Sequence, residues 1–138
     1  MHILMCNDDG ILADGLRRLA SYLSHYYRIT VVAPANEQSA KSHALTTEIP
    51  LKLDAYNGED ENPRLYALTG TPSDCMKFGL SYLLTDDMPD LVISGINHGF
   101  NLGSDVLYSG TVSAAMESCF YGIPGLALSV ERLSLIHI

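Results

Sequence analysis

Four short groups of residues in this chain carry oxygens of the kind that bind hard cations or phosphate. Asn7-Asp8-Asp9-Gly10 follows directly on the apolar run Ile3-Leu4-Met5-Cys6, so two neighbouring carboxylates close what reads as a first strand. Two carboxylates about 4 Å apart repel by about 4 kcal/mol at an effective dielectric near 20, and the pair needs a proton, a cation or open water beside it. Ser39 lies in a polar stretch after the second apolar run, and Asn97 and Asn101 follow a later one. Carboxylate, hydroxyl and amide oxygens, with water completing the shell, suit Mg²⁺ or Mn²⁺ better than Zn²⁺, which favours His and Cys. The fourth group, Tyr108-Ser109-Gly110-Thr111, stands at the start of a helical pattern, where small residues let backbone amides approach an anion and the helix end adds about half a positive charge. Taken singly, each group also reads as an ordinary turn or helix cap. Only Arg132 follows Lys77 among the Lys and Arg residues, so a phosphate bound here is held mainly by metal, amides and hydroxyls.

The elements that must position these groups are legible as alternating strands and helices. Leu16, Leu19, Ala20, Leu23 and Tyr27 recur at helical spacing from a start near Asp14, and Ile29 to Ala33 is a β-branched second strand that completes a β-α-β unit. Residues 35–48 form a polar connection carrying Ser39. Alternation over 49–55, an acidic turn and a run over 64–68 predict a hairpin, with Pro50 marking the first of its strands as an edge. Thr71 and Pro72 open a helix whose inner stripe is Met76, Gly79, Leu80 and Leu83; Asp74, in its first turn, reads as structural. A buried strand over 90–94, a long loop from Gly95 to Gly110, a helix over 112–121 lined by Val112, Ala115, Met116, Cys119 and Phe120, and a strand over 126–130 complete the order. The fold class is α/β, a Rossmann-like three-layer α/β/α arrangement with a mostly parallel sheet and a β-hairpin excursion. In such a sheet the polar groups converge at the carboxyl edge, and His43 and His98 in the nearby loops are candidates for proton donation or substrate contact.

At 138 residues the chain is a single domain over 1–138, and 47% hydrophobic against 17% charged residues describes an ample core. The net charge of −8 excludes long nucleic acids as partners, because these bind through clustered cations. Cys6, Cys75 and Cys119 each sit in an apolar pattern and read as buried thiols of a reducing, cytoplasmic compartment. Neither a signal peptide nor a membrane-spanning run is expected. The apolar end from Glu131 to Ile138 reads as the end of a truncated or frame-altered product, or as an exposed terminal strand.

Six motifs in order, NDDG at 7–10, the serine loop ending in LT at 45–46, TGTPSDC at 69–75, SGIN at 94–97, NLG at 101–103 and YSGTVSAAME at 108–117, resemble the survival protein E (SurE) family. The resemblance implies a metal-dependent nucleotidase on a Rossmann-like sheet, hydrolysing nucleoside 5′-monophosphates and also 3′-monophosphates. It implies one divalent ion, Mg²⁺ or Mn²⁺, on Asp8, Asp9, Ser39 and Asn97, with Asn101, Ser109, Gly110 and Thr111 lining the phosphate site. Asp8, Asp9 and Asn101 are then the catalytic set. The chain departs from the family's common pattern at Ala13-Asp14-Gly15 and at Gln38, neither among those ligands. The resemblance spans only the front of the family's length and lacks the arm through which members form homodimers or tetramers. A folded metal- and nucleotide-binding fragment with weak or no turnover is the alternative. A phospho-acceptor receiver needs a Lys after its fifth strand, and none follows Lys77; an acid-x-acid phosphatase needs a residue between its acids, and Asp8 and Asp9 are adjacent.

Overall fold

The computed structural model describes residues 1–131. The expected terminal strand falls on residues 132–138 and lies outside them. Six strands, β1 (His2–Cys6), β2 (Arg28–Pro34), β3 (Leu53–Ala55), β4 (Arg64–Leu68), β5 (Leu91–His98) and β6 (Gly125–Val130), form one sheet in the order β3-β4-β2-β1-β5-β6. All neighbours pair in parallel except β3 with β4. The α/β class and the hairpin excursion are as the sequence predicts, and β3 lies at the sheet edge. That strand is shorter than the expected 49–55: Pro50 has no N–H to give a ladder and Ile49 is exposed.

Alternate residues of the central strands feed two apolar layers. Ile3, Met5, Val31, Ala33 and Ile93 pack with Leu16 and Ala20 of α1 (Asp14–Leu23), while Leu4, Cys6, Val32 and Val92 pack on the other face with Cys75 and Met76 of α2 (Pro72–Phe78) and Ala114 of α3 (Gly110–Cys119). This period-two division over a parallel sheet is what places helices on both sides. A π-type turn, Gly79–Leu83, extends α2, and a 3₁₀ segment covers Gly103–Tyr108.

Four local expectations are corrected. The first helix stops at Leu23, and Tyr27 is exposed rather than on its apolar face. The long loop from Gly95 to Gly110 is interrupted, because β5 runs on to His98 and the 3₁₀ segment follows. On α3, Met116, Cys119 and Phe120 are exposed, and the buried face is made of Ser113, Ala114, Ala115, Glu117 and Ser118. A Cβ on Gly125 of β6 would fall 2.2 Å from the Ala115 carbonyl, so only small residues fit where this helix meets the sheet. Cys119 is thus not the buried thiol expected, whereas Cys6 and Cys75 are.

Candidate active site

The turn after β1 is built by Asn7, whose amide donates to the Gly10 carbonyl at 2.9 Å while its Oδ1 accepts from the Gly10 N–H at 3.1 Å. Gly10 has φ +100, a conformation that other residues adopt only with strain. The Asp8 carbonyl accepts from Gln38 N–H at 2.7 Å, and Ile11 N–H donates to the Pro34 carbonyl at 2.8 Å. The two acids are therefore presented from a backbone tied on both sides to the end of β2.

Their surroundings differ. Asp8 is buried; its Oδ1 accepts from the Thr111 hydroxyl at 2.8 Å, and the start of α3 packs against it so closely that a Cβ on Gly110 would lie 2.9 Å from the Asp8 Cβ. Burial raises the Asp8 pKa above the ordinary carboxylate value, opposed by hydrogen bonds from Thr111. Asp9 is half-buried, and its Oδ2 is shielded from solvent with no hydrogen-bond partner. Burial and then the charge of Asp8 raise its pKa, with His98 pulling the other way. Both carboxylates are thus held in settings that disfavour their charge, and Asp9 Oδ2 in particular lacks a hydrogen-bond donor.

The remaining predicted residues gather around the same acids. A cleft of about 320 Å³ is lined by Asp8, Ser39, Asn97, Asn101 and Ser109, and an adjoining one of about 350 Å³ by Asp9, Glu37, Ser39, Asn97 and His98. Asn97 arrives through a register shift between β5 and β6, from the Ser94–Ala127 pair to the Asn97–Ser129 pair, centred on Gly95 at φ +127. A Cβ at that glycine would lie 2.3 Å from the Leu128 carbonyl. Asn97 donates to the Gly99 carbonyl at 2.9 Å through Nδ2, a bond that does not engage its Oδ1; Asn101 donates to Ser129 Oγ at 2.8 Å. Ser39 donates to Glu37 Oε1 at 2.7 Å, and next to it Ala40 and Ser42 sit at φ +59 and +53. Left-handed backbone costs about 1–2 kcal/mol per non-glycine residue, strain of the kind that collects at functional loops.

Ser109 caps α3, accepting from Val112 N–H at 3.2 Å, and Thr111 is fully buried with its hydroxyl spent on Asp8. Gly110 backs Asp8 rather than lining either cleft. Asp74 is structural: with Thr71 it forms a capping box, and it also accepts from the Thr46 N–H and hydroxyl. His98 lies beside Asp9, whereas His43 bonds Glu117 instead. The sequence reading missed Glu37, whose only signal was its position two residues before Ser39, and Phe100 on the cleft wall; Tyr108, at the head of the fourth group, lines the same wall. Among the described residues no group of three or more His, Cys, Asp or Glu side chains could hold a metal. The expected set has two carboxylates, with a hydroxyl and an amide oxygen completing it, and the orphaned Asp9 oxygen suits such a hard cation.

Residues 3–135 match the family model described as Survival protein SurE. The chain belongs to the SurE family. Relatives named 5′-nucleotidase SurE share 54% identity over 94% of this chain in Thermoanaerobacter sp. (strain X514) and 50% over 94% in Vibrio vulnificus (strain YJ016), covering 50% and 49% of those proteins. A crystal structure of a SurE protein from Aquifex aeolicus matches at 40% identity with a TM-score of 0.84, over 98% of this chain and 54% of that one. The chain thus spans about half the length of its SurE relatives, and that half carries every residue described above.

Proposed function

We propose that this chain is a divalent-metal-dependent phosphomonoesterase acting on nucleoside monophosphates, at the 5′ and also the 3′ position, in a reducing compartment such as the cytoplasm. The observation that carries the proposal is the convergence of Asp8, Asp9, Ser39 and Asn97 on two adjoining clefts with a buried Asp9 oxygen left unpartnered. The names of the relatives supply the reaction class.

Asp8, Asp9, Ser39 and Asn97 would hold one Mg²⁺ or Mn²⁺. When bound, such an ion supplies charge to a phosphate oxygen and lowers the pKa of water. Ser109, Gly110 and Thr111 bring the N-terminus of α3 to the substrate phosphate, where backbone amides meet the charge that grows as the ester bond breaks. Asn101, on the same cleft, would add a side-chain contact. Asp9 takes a proton from the attacking water, and His98, beside it, returns one to the departing nucleoside oxygen.

Phosphate release from AMP, GMP and a generic phosphomonoester with added Mn²⁺, measured with the mass in solution, tests the proposal. Metal-dependent release that disappears in Asp9→Asn is the expected result, and turnover unchanged by that substitution would sink it. The second reading, a folded unit that binds metal and nucleotide without turnover, is favoured by the half-length match to the relatives. Mn²⁺ binding without phosphate release is its signature. Homodimer or tetramer formation, read from the mass, separates a self-sufficient assembly from a lone domain.

A further inference from the structure

Residues 38–46 run as a strap over the carboxyl edge of the sheet and carry Ser39. Beyond the Gln38–Asp8 bond at its start, the strap is tied at several points. Ser42 donates from N–H to the Tyr108 carbonyl at 3.3 Å and from Oγ to the Leu107 carbonyl at 2.8 Å. Thr71 Oγ1 donates to the Ala44 carbonyl at 2.6 Å, and Thr46 is held by Asp74. Between these ties His43 Nε2 meets Glu117 Oε2 at 2.6 Å, across 74 positions of sequence.

Glu117 stands out because it is a carboxylate buried on the inner face of α3, at 7% exposure. A buried acid without a partner is strongly disfavoured, and His43 is the side chain that meets it. The contact joins the strap bearing Ser39 to the same helix whose first turn touches Asp8 and borders the phosphate site. His43 touches neither cleft. Its effect on chemistry therefore passes through the strap.

We propose that the His43–Glu117 contact is a positioning latch: it fixes the Ser39 strap against α3 and thereby sets the affinity of the site for its divalent cation. The affinity consequence rests on the metal-binding reading of the site; the latch itself does not. A general loss of stability would lower the melting temperature without singling out the strap. A latch acts locally, and a conservative replacement that keeps a hydrogen-bond donor at position 43 restores it.

The test combines amide hydrogen exchange of the metal-free chain with calorimetric titration of Mn²⁺, in the parent, His43→Ala, His43→Gln and Glu117→Gln. His43→Ala is expected to speed exchange at Gln38, Ser42 and Ala44 at least tenfold, with β1 and β5 unchanged, and to weaken Mn²⁺ binding at least fivefold. His43→Gln is expected to return both to within about twofold of the parent. If His43→Ala does not fold, the double variant His43→Ala/Glu117→Gln removes the stranded charge and is read in the same way. Unaltered exchange in the strap overturns the latch, whatever the metal data show. Faster exchange with unaltered Mn²⁺ affinity overturns the coupling to the site. Absence of Mn²⁺ binding by the parent overturns the metal reading and the affinity claim, and leaves the exchange result to judge the latch alone.

Discussion

Asp9→Asn should reverse the order of stability between variant and parent according to whether metal is present. Without metal, Asp9 places a shielded oxygen in a site with no hydrogen-bond partner, beside the charge of Asp8. Two carboxylates about 4 Å apart repel by about 1 kcal/mol in water and about 4 kcal/mol at an effective dielectric near 20, and because Asp9 is only half-buried the lower end applies, about 1 kcal/mol after solvent screening. Neutral Asn removes most of that repulsion. For a domain of this size about 1 kcal/mol corresponds to about 3–4 °C, so metal-free Asp9→Asn is expected to melt higher than the parent by that amount. With Mn²⁺ at about a hundred times its dissociation constant, the parent gains about 2.7 kcal/mol and the variant little, leaving the parent ahead by about 1.7 kcal/mol.

The same residue fixes the sign of a pH effect. The folded-state pKa of Asp9 is raised above its ordinary value of 3.8, so the metal-free native state keeps a proton that the unfolded chain has already lost. Its stability accordingly rises as pH falls from neutrality through the folded-state pKa, and levels off below the unfolded value. Asp9→Asn lacks its share of that rise, while the share of Asp8, raised in the same direction, persists. Differential scanning fluorimetry between about pH 3 and 8, with and without Mn²⁺, reads all of this. A metal-free variant that melts below the parent, or Mn²⁺ that stabilises both proteins equally, would refute the reasoning.

Three further outcomes follow from single sites. Gly110→Ala drives a Cβ to 2.9 Å from the Asp8 Cβ and 3.1 Å from Pro72 Cγ, and should cost about 1–3 kcal/mol in urea denaturation and weaken Mn²⁺ binding; unchanged values for both would show that α3 can yield there. Asp74→Ala removes the acceptor for Thr46 and Thr71, including the side-chain half of the capping box of α2, and should cost about 2 kcal/mol by the same measurement. His2 is buried, its Nε2 placed at 2.9 Å to accept the Thr30 hydroxyl, and burial followed by the Arg28 charge lowers its pKa from 6.5. That stabilisation is complete above the unfolded value and is lost as pH falls below it, so the stability margin of the parent over His2→Gln should shrink from pH 7 to pH 5.

Strands and acid turn were legible because their signals are local. Unbroken burial along β1 and nearly all of β2 follows from continuous β-branched and aliphatic runs, and Asn7-Asp8-Asp9-Gly10 names its own turn. The errors arise where a neighbour decides. Periodicity of large side chains assigned Met116 and Phe120 to the inner face of α3, yet the helix approaches β6 so closely that small residues line the contact and the large ones turn outward. Tyr27 continued a helical spacing from Leu23, but the chain leaves the helix there, and Tyr22, Tyr26 and Tyr27 pack on one another at the surface. At the site, the oxygen-bearing side chains could be read from the sequence, whereas the Glu117 partner of His43, 74 positions away, depends on tertiary approach.

The strand order explains why these particular residues meet. The chain leaves β1 toward β2 and β4, then returns to place β5 on the other side of β1, so the order reverses between β1 and β5 and a crevice opens at their carboxyl ends. Asp8 and Asp9 follow β1 at that point and Asn97 stands at the end of β5, while the strap that follows β2 and the first turn of α3 border it. The surroundings treat the two acids unequally. Asp8 has Thr111 and the positive end of α3 as partners, which oppose but do not cancel the burial that raises its pKa. Asp9 has a partial counter-charge in His98 and an oxygen with no donor. The unmet demand is therefore greater on one carboxylate: Asp8 is the fixed wall of the site, and Asp9 is the acid whose shielded oxygen stands without a donor.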